Sequence, residues 1–189
     1  MFLENLLSLT NLKDKVSNGF RDGLEIILGK KYRTFDIKNF NTPIRIYKLH
    51  GGIDIYKLSY YDSTDVHFIQ ILDGYDAKNS FLIDSEKSVD IIPMFLTGKT
   101  SKEKQYCQEP YQSLLNDFKK QVDEANKLIT IGYRGNDRGI NNIIYEQYQH
   151  WDNAYVIDPN AAKHPFVLKK HAKYKNVGVE SLTLPMVGK

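Results

Sequence analysis

The chain has 189 residues, a net charge of +3, 41% hydrophobic and 12% aromatic residues, and a single cysteine, Cys107. That length suits one domain with a real core, and no stretch approaches the ~20 apolar residues of a membrane span. One cysteine rules out an internal disulfide and fits a reducing cytoplasm. It also rules out a four-cysteine zinc site. His67, His150, His164 and His171 are scattered without metal-ligand spacing, so no metal site is expected.

In chain order, Phe2 to Val16 places Leu3, Leu6, Leu7, Leu9 and Leu12 near helical spacing. Without a positive leader or small-residue cleavage site it reads as an amphipathic helix, not a signal peptide. Asn18 to Asn41 is polar and punctuated by Gly19, Gly23 and Gly29, and reads as loop with short irregular elements. Ile44 to Leu49 reads as a strand, with Ile44, Ile46 and Leu49 buried. It delivers His50 into the Gly51-Gly52 turn. Glycines there let the chain turn sharply and let a ligand approach. A histidine so presented is partly exposed and available as a general base; the alternative is a hydrogen-bonded structural histidine. Asp54 would either orient His50 or cap a turn. Lys48 would point away from the face of His50 if the strand is regular.

Ile55 to Tyr61 and Val66 to Leu72 read as a hairpin around residues 62–65. Asp73-Gly74 and Asp76 to Ser80 read as turn, Val89 to Phe95 as a strand, and Thr97 to Gln108 as loop. Tyr111 to Asn126 carries an apolar stripe of Leu114, Leu115, Phe118, Val122 and Ala125 behind Pro110, the pattern of a helix. Leu128 to Ile131, Gly139 to His150 and Ala154 to Ile157 form a strand–helix–strand unit with parallel strands. Its first loop, Gly132 to Asp137, lies at a carboxyl strand end, where open α/β sheets bind nucleotides. The alternative is a plain strand-to-helix connection. Val177 to Met186 is a last strand candidate. Lys163, Lys169, Lys170, Lys173 and Lys175 concentrate positive charge late in the chain, and no acidic residue falls between Asp158 and Glu180. Without a nucleic-acid motif this reads as a solvated basic face, the alternative being a patch for nucleic acid or another anionic partner.

Several of these segments together resemble the sirtuin-like superfamily, in particular its bacterial NAD-hydrolysing, zinc-free branch. Lys48-Leu49-His50-Gly51-Gly52 matches that branch's Lys-Leu-His-Gly-Ser, with glycine for serine. Gly132-Tyr133-Arg134-Gly135-Asn136-Asp137, followed by Ile140-Asn141, matches its Gly-Tyr-Ser-Phe-x-Asp and Ile-Asn, with Arg134 and Gly135 departing from the pattern. Pro93 to Lys99, Glu109-Pro110-Tyr111, Ala154 to Asp158 and Asn18-Gly19-Phe20 are also similar. The likeness runs from about Met1 to Asp158. The family's Gly-Ala-Gly-type loop and Thr-Asn-Tyr-Asp segment are not present, so the chain reads as the later part of such a domain.

The resemblance implies an incomplete Rossmann-like α/β domain, with a parallel sheet, flanking helices and a small β-rich segment near residues 55 to 95. It implies an NAD glycohydrolase that releases nicotinamide and serves anti-phage defence. His50 would be catalytic. Gly132, Tyr133, Asn136, Asp137, Asn141 and Asp158 would bind NAD, Asn141 and Asp158 on the adenosine side. The alternatives are an inactive partner-binding remnant and an NAD-dependent protein deacylase, the latter disfavoured by the missing cysteines. Implied partners are NAD and a second copy or a complementing N-terminal half.

Overall fold

The computed structural model describes residues 12–21, 26–27, 30–60, 64, 66–71, 87–89, 93–96 and 106–178. Most of the helix expected over Phe2 to Val16, the turns expected at 73–80, residues 97–105 and the last strand candidate beyond residue 178 lie outside them; the described end of that helix is a 3-10 turn, Lys13–Lys15, followed by strand. The chain is a mixed α/β protein with parallel and antiparallel sheets and, among the described residues, three α-helices. It divides into two compact units, Met1–Leu115 and Asn116–Lys189.

Among its described residues, the first unit is built around an antiparallel sheet. Strands β2 (Phe20–Arg21), β4 (Lys30–Phe35), β6 (Ile55–Tyr60), β7 (Val66–Ile71) and β8 (Lys87–Val89) run in the order β2-β4-β7-β6-β8, and β3 (Ile26–Ile27) pairs with β4. The hairpin reading holds: β6 and β7 pair antiparallel, with Ile55 opposite Gln70 and Tyr56 opposite Ile69. Alternation puts Tyr56 and Leu58 into a core with Tyr32, Ile69, Ile71 and Val89. Ile55, Phe68 and Gln70 are also buried. They come from the intervening positions, so the sheet is covered on its second face too.

Two readings of this unit need correction. The stretch from 18 to 41 is not mainly loop, because it supplies β2 and β4. Lys30–Phe35 carries Tyr32 into the core between charged neighbours, and Tyr32 and Phe35, three residues apart, leave no alternation to read. Phe35 meets Phe20 and Phe40 edge-on at 5.5 and 6.4 Å, and Phe40 stacks on Tyr47 at 4.9 Å. The strand before His50 is also short. Only Ile44–Arg45 (β5) is strand, pairing parallel with Val16–Ser17 (β1). Ile44, Ile46 and Leu49 are half-buried.

Helix α1 spans Tyr111–Glu124, and the boundary between the units falls inside it. Of the expected stripe, Leu114, Leu115 and Val122 are buried. In the second unit, β9 (Leu128–Ile131), helix α2 (Arg138–Gln147) and β10 (Ala154–Ile157) form the expected parallel unit, with Ile157 beside Ile131. Two elements escaped the sequence reading. Helix α3 (Pro165–Lys170) and strand β11 (Lys173–Lys175) occupy the lysine-rich stretch, and β11 pairs parallel with β10. Phe166 explains the helix: it is fully buried, against Tyr145 and Trp151 at 5.2 and 5.6 Å. The lysines lie over aromatic faces, Lys170 over Trp151 at 5.4 Å and Lys173 over Tyr155 at 5.1 Å.

Candidate functional site

The residues singled out by sequence fall into two groups, one in each unit. In the first unit, His50 sits on a turn fixed by main-chain hydrogen bonds. The Gly51 N–H donates to the Lys48 carbonyl at 2.8 Å, and the Gly52 N–H to the Met94 carbonyl at 3.0 Å. The Leu96 N–H donates back to the carbonyl of His50 at 2.9 Å. The Tyr111 hydroxyl donates to the same Met94 carbonyl at 3.1 Å, and burial pushes its pKa up to about 12. The His50 ring is half-buried and stacks on Tyr106 at 6.5 Å.

Both glycines are required by the protein's own packing. Gly51 has φ +75, and a Cβ there would fall on the Met94 carbonyl oxygen. A Cβ on Gly52 would meet Oδ1 of Asp54. Asp54 makes two contacts that sequence did not foresee. Its Oδ2 accepts from Lys48 Nζ at 3.2 Å and from Gln70 Nε2 at 2.5 Å. Burial raises the Asp54 carboxyl, but the Gln70 hydrogen bond and the Lys48 ammonium outweigh it and hold the pKa below 3.8. Lys48 reaches Asp54 because the chain leaves regular strand geometry after Arg45. A cavity of about 10 Å³ lies beside this turn, lined by Asn18, Phe20, Lys48, Gly51, Tyr111 and Leu114 among others. It is the size of one water.

In the second unit the loop after β9 is organised from within. Asp137 caps helix α2, accepting from the Ile140 N–H at 3.1 Å. Asn141 is buried; its amide donates to the Gly135 carbonyl at 2.6 Å and its oxygen accepts from the Tyr133 hydroxyl at 2.8 Å. The structure thus joins Tyr133, Asp137 and Asn141 into one loop-holding group. Asn136 is exposed, as is Arg134. Gly132 has φ +64, and a Cβ there would meet nothing within 4 Å. Its N–H is tied to the Ile157 carbonyl at 2.9 Å, so the open space lies over its Cα. Asp158 directly follows β10 and is buried, with Oδ1 accepting from the Asn160 N–H at 2.8 Å.

His164 was missed as a structural element of this loop system. It is 4% exposed, and its Nδ1 accepts from the Phe166 N–H at 3.2 Å, capping α3. Burial lowers its pKa below 6.5 against the opposing pull of the Tyr133 carbonyl and the Asp158 charge. A Cβ on Gly135 would come within 2.9 Å of its Nε2 and 2.7 Å of Pro165 Cδ. The available signal was His164-Pro165, a capping residue before a proline at the first helical position.

Among the described residues, no group of three or more His, Cys, Asp or Glu side chains could hold a metal, and no helix is long and apolar enough to cross a membrane. No protein-family model matches the chain, and no curated protein matches it.

Proposed function

We propose that the chain is an NAD-consuming enzyme of the sirtuin-like kind, a glycohydrolase releasing nicotinamide, with its second unit read as the later part of a Rossmann-like sheet. The observation that carries this reading is His50, presented on a turn whose backbone is fixed by hydrogen bonds on both sides. The base of a hydrolysis must be held in place before the substrate arrives. In the proposed reaction the C1′–N bond of the nicotinamide riboside breaks and nicotinamide departs with the bonding pair. Water forms the new C1′–O bond, and its proton passes to His50. The products are ADP-ribose, nicotinamide and a proton.

Support from the second unit is the open Cα face of Gly132 at a carboxyl strand end, the place where parallel sheets receive nucleotides. In this reading Gly132, Tyr133 and Asn136 face the nucleotide, Asp137 and Asn141 hold the loop, and Asp158 lies near the ribose. The proposed setting is bacterial anti-phage defence in the cytoplasm. Asn141, whose amide is engaged at both ends within the protein, favours one second reading, a partner-binding remnant without turnover. Incubation with NAD, alone and with an acylated lysine peptide, separates the possibilities. Free ADP-ribose without the peptide supports the glycohydrolase. Turnover only with the peptide points to deacylation, and no turnover in either to the remnant.

A further inference from the structure

We propose that Asp54 is a positioning residue for His50, acting with Lys48 and Gln70 as a clamp on the turn that carries the histidine; the inference rests on the reading of His50 as the base. In the clamp the donors converge on the Asp54 carboxylate. Asn18 Nδ2 donates to Gln70 Oε1 at 3.4 Å, which turns the amide nitrogen of Gln70 towards Asp54. Asp54 then receives Gln70 on one side and Lys48 on the other. Lys48 stands two residues before His50 and Asp54 four after it, so the pair closes the neck of the turn. Gln70 belongs to β7 and sits opposite Ile55, which ties that neck to the interior of the sheet. Gly52 packs directly on the carboxylate.

Stability alone is a weak reason for this arrangement. The Lys48 and Asp54 side chains are only 15% and 11% exposed, and a buried ion pair is on average no better for stability than packed apolar groups. The turn already has its main-chain bonds to residues 94 and 96. What the pair adds is a fixed position for the chain on both sides of His50. Displacement of a catalytic group by about 1 Å can cost on the order of 100-fold in rate. Neutralising Asp54 would leave the Lys48 ammonium without this carboxylate partner.

The test compares wild type with Asp54→Asn, Lys48→Met and the double variant. Nicotinamide release gives kcat and KM, and NMR reads the histidine Cε1–H signals, that of His50 assigned by its loss in His50→Ala. The expected result is a fall in kcat of about 10- to 100-fold in each single variant with little change in KM. The double variant should be no worse than the poorer single one, because both remove the same interaction. The His50 signal should shift or broaden while those of His67, His150, His164 and His171 stay in place. Wild-type kcat with an unmoved His50 signal would overturn the proposal, as would equal broadening of all five histidines, which marks general loosening. If wild type itself releases no nicotinamide, the reading of His50 as base fails. The clamp is then decided by the His50 signal alone.

Discussion

Tyr133 and Asn141, eight residues apart, are joined by a hydrogen bond of 2.8 Å from the tyrosine hydroxyl to the amide oxygen. The other end of that amide holds the Gly135 carbonyl, so one buried side chain spans the loop from its start to the first turn of α2. Asn141→Ala is expected to destabilise the protein by about 1–3 kcal/mol, because it leaves buried polar groups unsatisfied. Denaturant unfolding measures this. Asn141→Asp should not restore the bond to the Gly135 carbonyl, since a carboxylate cannot donate.

Gly51→Ala is expected to be strongly disruptive. The left-handed backbone alone costs a non-glycine residue about 1–2 kcal/mol, and the added methyl falls on the main-chain oxygen of Met94. Gly132→Ala meets no such atom and should cost only the backbone term. A comparison of the two melting temperatures checks the difference.

His164 should make the second unit sensitive to mild acid. Its folded pKa lies below the unfolded value of 6.5, so the unfolded chain binds the proton more readily. The stabilisation is therefore fully present above pH 6.5 and is lost as pH falls through the lower, folded pKa. Protonation also removes the Nδ1 lone pair that caps α3. His164→Asn, which can still cap, should flatten the pH dependence of stability between pH 7 and 5. A slope identical to wild type would contradict the assignment.

Asp54 behaves in the same sense at lower pH. Its folded pKa is depressed below 3.8. The contribution of the Lys48–Asp54 pair is complete above pH 3.8 and disappears as pH falls through the folded pKa. Asp54→Asn should therefore remove part of the acid-induced loss of stability below pH 4, measured by denaturant midpoints across pH.

Legibility in the sequence followed how local the determinants are. The β6–β7 hairpin, α1 and the β9–α2–β10 unit announce themselves because each carries its own periodicity. Lys30–Phe35 and α3 do not, because each depends on one aromatic, Tyr32 or Phe166, finding partners distant in sequence. The same distinction runs through the candidate site. His50 and its glycine turn are visible as a motif. The contact of Asp54 with Gln70 is not, because Gln70 lies sixteen residues away on β7. Asn141 shows the converse: the motif marks the residue, but only the fold shows both ends of its amide engaged within the protein.

Nicotinamide release from NAD by wild type and His50→Ala tests the proposal that His50 serves as the base in NAD hydrolysis. The expected result is steady release by wild type and a loss of at least about 100-fold in the variant, in keeping with the weight of a general base, with unfolding behaviour unchanged. Equal release by the two proteins, or none from a folded wild type, would contradict the claim.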